Sequence, residues 1–173
     1  MEEQQLIEGC IGGERAARKK LYELHAPAMM SVCLRYVRCR ETARDLLQDG
    51  FVKLFTKIHD YAGTGSFNGW MKRIFVTTAL EHLRQNGNLR HHIEISANQE
   101  ITDDVSVFEQ LSADELLECI ADLPEIYRTV FNMYAIEGYT HVEIAEELEI
   151  SDSTVRSRYA RARELLQKTV NSQ

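Results

Sequence analysis

The chain has 173 residues, 44% of them hydrophobic and 27% charged, with only two prolines and nine glycines. This length suits one domain or two small ones, and so little proline, against an average usage of about 5%, disfavours a turn-rich all-β fold; helices with short connections are expected. The 20 Lys and Arg against 27 Asp and Glu leave a net charge of −7, which for the chain as a whole argues against a nucleic-acid partner, because phosphate is met mostly by Lys and Arg.

The N-terminus, Met-Glu-Glu-Gln-Gln, has neither a basic segment nor an apolar one, so export is not expected and a cytoplasmic location is. No stretch reaches the roughly 18 apolar residues that span a bilayer, so no membrane insertion is expected. Residues Glu14–His25 and Pro27–Arg38 read as two helices, with Ala17, Leu21 and Leu24, then Met29, Met30, Cys33 and Val37, facing inward and Pro27 in a first turn. From Glu41 to Ile58 the small and apolar residues Ala43, Leu46, Leu47, Gly50, Phe51, Leu54, Phe55 and Ile58 recur at helical spacing, which predicts a helix with one buried face. Its other face carries Arg44, Asp45, Gln48, Asp49 and Lys53, and an ordinary solvated surface accounts for them on pattern alone. His59–Gly65 is a glycine-bearing loop. Ser66 can cap the next helix, Phe67 to about Gln85, with Trp70, Ile74, Thr77, Thr78 and Leu83 toward one side and Lys72, Arg73, His82 and Arg84 as its basic residues.

Residues 89–113 are polar and acidic without a sustained period and read as a linker. Beyond Pro124 a helix passes through Tyr127, Val130, Phe131 and Tyr134 and stops near Gly138. Thr140 and Glu143 form a T-x-x-E capping box, Leu148-Glu149-Ile150 makes a break, and Ser151 or Ser153 can cap a last helix running to Thr169. Two short helices about a tight turn, with Ala145 at their close approach and Ile144, Leu148, Ile150 and Val155 as mutual core, describe a helix-turn-helix. The second helix of that motif enters the DNA major groove. Here it carries Arg156, Arg158, Arg161 and Arg163, opposed nearby only by Asp152 and Glu164.

Charge by segment removes the conflict with the net value. Residues 1–88 hold 13 Lys/Arg against 10 Asp/Glu, 89–113 hold 1 against 5, and 114–173 hold 6 against 12. The positive charge lies in the first segment and on one helix of the last. The expected organisation is all-α: two small helical domains, 1–88 and 114–173, joined by a flexible linker at 89–113.

Three stretches, ETARDLLQDGFVKLFTKIHDY, GSFNGWMKRIFVTTALEHLR and LPEIYRTVFNMYAIEGYTHVEIAEELEISDSTVRSRYARARELL, resemble the extracytoplasmic-function (ECF) sigma factors of bacterial RNA polymerase, from about Arg18 to Gln167. The resemblance implies a sigma-2-like domain and a sigma-4-like helix-turn-helix domain in a factor that binds core RNA polymerase and directs promoter-specific transcription initiation for a stress or extracytoplasmic signal. It implies no enzyme, no cofactor and no metal. By it, Asp45, Leu46, Gln48, Asp49 and Phe51 dock on the clamp helices of the polymerase β′ subunit; Tyr61, Gly63, Asn68, Trp70, Lys72 and Arg73 serve minus-ten recognition and melting; and Thr154, Arg156, Ser157, Arg158 and Arg161 serve the minus-thirty-five element. Core polymerase through the β′ clamp helices and the β flap, promoter DNA and an anti-sigma factor are the partners it implies. The chain departs from the common family pattern at Tyr61-Ala62-Gly63, at Thr77 and at Glu149, where glycine is frequent.

Two other classes compete on the residues alone. A dimeric helix-turn-helix regulator acting without polymerase docking would share the last stretch. A metal-dependent enzyme would need ligands from His25, His82, His91, His92, Cys33 or Cys39, and neither these nor the remaining cysteines, Cys10 and Cys119, show ligand spacing.

Overall fold

Burial of helical stripes decides the architecture. The computed structural model describes residues 2–87, 109 and 111–172, and all its regular elements among these are helices. The expected linker at 89–113 lies outside the described residues apart from Glu109 and Leu111 to Ala113. The chain divides into two compact units, Met1–His82 and Leu83–Gln173.

The first unit comprises α1 (Glu3–Ile11), α2 (Arg15–Tyr36), α3 (Arg40–Lys57), a 3-10 turn at Ile58–Asp60, and α4 (Phe67–Gln85), whose last turn runs past the division. Its α2 differs from the two helices expected: it is continuous, with Pro27 inside it. A proline costs a helix one hydrogen bond and about 3 kcal/mol. Here Pro27 is exposed, and Leu21 on one side and Met29, Val32 and Cys33 on the other are all buried; at about 1.5–3 kcal/mol per buried aliphatic side chain, packing outweighs that loss. Leu24, expected inward, is 55% exposed.

Helix α3 follows its stripe closely: Ala43, Leu46, Leu47, Gly50, Phe51, Leu54 and Ile58 are buried and Phe55 is partly so. Helix α4 does not. Its buried residues are Phe67, Met71, Phe75, Val76, Thr78, Ala79, Leu80 and Leu83, while Trp70, Ile74 and Thr77, expected inward, are only half-buried. The reason is the seating of Phe75, fully buried and edge-on to Phe51 with centroids 5.0 Å apart, against the side-chain-free surface of α3 at Gly50. That contact turns the Trp70 side of α4 outward.

The second unit holds α5 (Ala113–Ala121), α6 (Glu125–Phe131), a π-turn at Asn132–Ile136, α7 (His141–Leu148) and α8 (Asp152–Asn171). Helices α1 and α5 are additions to the sequence reading. For α5 a signal was present: the backbone N–H of Glu115 donates to Ser112 Oγ at 3.3 Å and the Ser112 N–H donates to Glu115 Oε2 at 2.9 Å, a capping box that fixes a helix start. The Ser112 backbone N–H first, and then its hydroxyl, which donates to the same oxygen at 2.8 Å, hold the Glu115 carboxyl below its ordinary range. The expected Thr140–Glu143 box caps α7, with bonds of 3.1 and 2.8 Å. Ser151 caps α8, accepting from the Thr154 N–H at 3.1 Å. Between them Glu149 adopts φ 55°, ψ 43°, the left-handed conformation that costs a non-glycine residue about 1–2 kcal/mol. It lets the Ile150 N–H bond back to Ala145 O at 3.0 Å and so closes the turn. Ile144, Leu148 and Val155 are buried in the helix-turn-helix, and Ile150 is half-buried.

Candidate nucleic-acid interface

Three surfaces emerge from these elements. On α3 the structure separates the expected docking residues. Asp45, Gln48 and Asp49 are exposed, whereas Leu46 and Phe51 are 3% and 4% exposed, because they fall on the core stripe; Phe51 meets Tyr22, Phe55 and Phe75 at centroid distances of 4.7, 6.0 and 5.0 Å. The outward face holds a residue that sequence reasoning passed over, Val52, 66% exposed. It continues the Asp45–Asp49 row at i+7, so the face combines carboxylates with an apolar contact point.

The second surface is built by the turn between α3 and α4. Gly63 and Gly65 have φ of 71° and 78° with nothing near an added Cβ, so the chain reversal, not crowding, requires glycine there. Tyr61 Oη donates to Gly65 O at 2.9 Å across the loop, and Ser66 Oγ accepts from the Gly69 N–H at 3.2 Å, giving α4 the cap expected of it. The loop folds Tyr61 onto Phe67 and Trp70, with centroids 5.2 and 5.3 Å away, and Phe67 and Trp70 stack at 5.8 Å. Phe67 is buried, whereas Tyr61 and Trp70 keep part of their surface in solvent. Trp70 and Arg73 then line one wall of a groove of about 380 Å³, with Lys53 and Lys57 opposite. Asn68 and Lys72 lie outside its lining. Half-exposed aromatic faces beside cations are what an unstacked base and its phosphate need, since base–aromatic stacking is worth about 1–3 kcal/mol per base. The two lysines were not singled out from the sequence, because their place in the groove depends on α4 turning this side outward.

The third surface is α8. Ser153, Arg156 and Arg161 are exposed, and Thr154, Ser157 and Ala160 are half-buried beside them. Arg156 Nε donates to Asp152 Oδ2 at 2.9 Å and Arg161 Nη1 to Glu164 Oε2 at 2.7 Å. Arg158 is set apart from this face, being 3% exposed, and Arg163 is 8% exposed. Both fall on the row Val155, Arg158, Tyr159, Ala162, Arg163, Leu166, which is the buried side of the helix. Arg158, expected to serve the minus-thirty-five element, thus has its side chain in the packed layer of this structure.

An aromatic cluster positions α8 within its unit. His141, the first residue of α7, stacks on Tyr134 with centroids 4.5 Å apart and lies 6.3 Å from Tyr159; Tyr134 and Tyr159 are 4.7 Å apart. Burial pushes the His141 pKa below 6.5, Arg156 pushes it further, and Asp152 opposes them. The folded unit therefore prefers neutral imidazole. Its contribution is complete above the unfolded value of 6.5 and is lost as pH falls below it, because the unfolded chain then binds the proton more readily. His25 is lowered in the same direction, mainly by burial, so both must be considered. We expect His141→Phe, which keeps a ring in the stack, to flatten the fall in unfolding free energy on acidification below about pH 6.5. Parallel urea titrations at several pH values check this, and an unchanged slope contradicts it.

The fold defines a two-unit helical protein with a helix-turn-helix. Comparison with known proteins gives the family. The model for sigma-70 region 2 matches residues 21–88 and that for sigma-70 region 4 matches 113–166. The RNA polymerase sigma-H factor of Pseudomonas aeruginosa is 27% identical over 98% of this chain and 94% of its own. The ECF RNA polymerase sigma-E factor of Haemophilus influenzae is 28% identical over 97% and 95%. The solved structure of CnrH in complex with the cytosolic domain of CnrY shares the fold, with a TM-score of 0.53 at 19% identity, covering 98% of this chain and 97% of that one. So does that of the sigma factor RpoE in complex with the anti-sigma factor NepR from Bartonella quintana, with a TM-score of 0.53 at 20% identity over 87% and 94%. The chain belongs to the sigma-70 family, in its ECF group, and as a sigma factor it is not an enzyme. Among the described residues no helix is long and apolar enough to cross a membrane.

Proposed function

We propose that this chain is a dissociable subunit that joins core RNA polymerase in the cytoplasm and directs it to a promoter set. The observation that carries the reading is the order of parts: an acidic helix face and an aromatic–cationic groove in the unit matched by region 2, followed by a capped helix-turn-helix in the unit matched by region 4. Asp45, Gln48 and Asp49, with Val52 among them, suit a basic helical partner, the β′ clamp helices; the second unit would meet the β flap. The Tyr61–Ser66 loop, with Asn68, Trp70 and Arg73 of α4, would hold the opened minus-ten strand. Extruding a base costs a few kcal/mol, which stacking and phosphate contacts can offset. Lys72 would reach the same strand from outside the groove. Thr154, Arg156, Ser157 and Arg161 would read and grip the minus-thirty-five duplex, a bidentate arginine–guanine pair giving about 1–3 kcal/mol of discrimination. The linker between the units would set the spacing of the two elements. Because the solved relatives are complexes with CnrY and with the anti-sigma factor NepR, we take an anti-sigma protein as a regulator of this chain too.

Transcription from candidate promoters with purified core polymerase tests this reading. Asp45→Arg should weaken core association about tenfold or more by placing a cation against a basic partner, with the helical spectrum unchanged. Arg156→Ala should leave core association intact while lowering promoter-specific transcripts about tenfold. If the isolated chain instead binds a promoter duplex as tightly as the polymerase complex does, the dimeric-regulator reading holds.

A further inference from the structure

The groove between α3 and α4 contains a charge arrangement that DNA contact alone does not explain. On α4, Trp70, Arg73, Thr77 and Glu81 follow one another at spacings of three and four, so they form one stripe, and Lys53 and Lys57 face it from α3. With Asp60 at one end, the groove has three cations and two carboxylates. Lys53 Nζ is ion-paired to Glu81 Oε2, both side chains being about half-exposed at 35% and 44%. A lysine already held by a carboxylate attracts a phosphate less, because the pair must break and the carboxylate itself repels the strand.

We propose, resting on the reading of this groove as the site of an opened DNA strand, that Glu81 is a competitor for Lys53. It occupies the lysine in the free chain and gives it up only when a backbone phosphate takes its place. The ligand class is the phosphodiester of single-stranded DNA, and the exchange swaps one anionic partner of Lys53 for another. An exposed pair of this kind is weak enough to exchange, being typically worth well under a tenfold factor, yet strong enough to lower strand affinity measurably. Glu81 thereby keeps a groove that carries Trp70, Lys57 and Arg73 from retaining arbitrary strands, and leaves capture to a strand delivered in place.

Binding of the full chain to fluorescein-labelled oligothymidylate, followed by polarisation over a salt series, tests this. Glu81→Gln should raise affinity about two- to fivefold and steepen the slope of log K against log salt by about 0.7, the value for one more phosphate on a single strand. Lys53→Gln should lower affinity, and in that background Glu81→Gln should give a smaller gain, the part that comes from relieved repulsion alone. Equal affinity of Glu81→Gln and the parent overturns the proposal. So does an equal gain with Lys53 absent, and so does lack of binding by every variant at low salt. A fall in melting temperature for Glu81→Gln with unchanged affinity makes the pair a strut between helices and also overturns it. Core-dependent transcription measured in parallel separates the two levels: transcripts without the affinity gain sink only the Glu81 role, whereas the gain without transcripts sinks the proposed promoter-directing role and leaves strand binding by the groove.

Discussion

Methionine in place of Arg128 is expected to destabilise the second unit by about 2–4 kcal/mol. Arg128 is 5% exposed and its Nη1 donates to Ala121 O at 3.2 Å and to Leu123 O at 3.1 Å. The first of those carbonyls ends α5 and the second lies in the short corner before Pro124 starts α6, so one guanidinium satisfies acceptors that no helical N–H can reach. Glu125, one turn earlier on α6, lies 4.0 Å from its other nitrogen. Methionine preserves much of the volume and removes every donor, leaving the buried Leu123 carbonyl unpaired at about 1–3 kcal/mol and the part-buried Ala121 carbonyl at the lower end of that range. Lysine at the same position keeps a charge but not the fork, and should fall between the two. Loss of amide protection across α5–α8, together with a lowered urea midpoint, is the readout; a parent-like midpoint would refute the corner's role. Because α6 packs on α8, the same variant should lose minus-thirty-five-dependent transcription at temperatures where the first unit is intact.

The sequence disclosed most where one periodic stripe had no rival. On α3 the small and apolar positions are the buried ones nearly residue for residue, and the polar face stayed outside. The same stripe holds Leu46 and Phe51 in the core; they were expected on the docking face by resemblance to relatives, and resemblance does not say which residues of a matching segment point outward. Helix α4 defeated the pattern because apolar residues occur on more than one side of it, from Trp70 and Ile74 to Phe75 and Val76. Only a tertiary contact decides which side is covered, and with that the position of the groove. Arg158 and Arg163 were counted among the basic residues of the DNA-entering helix, although their spacing with Val155, Tyr159, Ala162 and Leu166 already placed them on the inner row; a long apolar stem allows a guanidinium to lie in a packed layer. Pro27 shows the converse, a strong local signal overridden by burial on both sides. Glu149 kept its turn without glycine because the helices on either side, with their own caps, hold it in the left-handed conformation.

Gly50→Ala should reverse the usual benefit of removing a glycine from a helix. Alanine favours a helix interior by roughly 1 kcal/mol, but a Cβ at position 50 would sit 2.3 and 2.4 Å from Cε1 and Cδ1 of Phe75, inside any tolerable carbon–carbon contact. Phe75 is fully buried and its neighbour Phe51 blocks one retreat, so α3 and α4 must separate or the ring must leave its seat. Overpacking of this kind costs about 1–3 kcal/mol beyond the propensity gain, and a net loss near 2 kcal/mol lowers the melting temperature of a unit this size on the order of 10 °C. Gly69 supplies the opposite sign within the same unit: an added Cβ there meets nothing closer than Ser66 Cβ at 3.8 Å, so Gly69→Ala should leave stability equal or raise it by up to about 1 kcal/mol. Trp70 is the chain's only tryptophan, and its fluorescence follows this unit directly. If Gly50→Ala melts at or above the parent, the close approach of α3 and α4 is not what fixes the outward turn of Trp70. Pairing Gly50→Ala with Phe75→Leu should recover part of the loss, because the smaller side chain relieves the clash; a strictly additive double variant would locate the cost elsewhere. The reach of the effect follows from geometry: the helix contact that Gly50 permits also sets Lys53 and Lys57 across from Trp70 and Arg73, so a shift that preserves folding should still weaken strand binding in the groove.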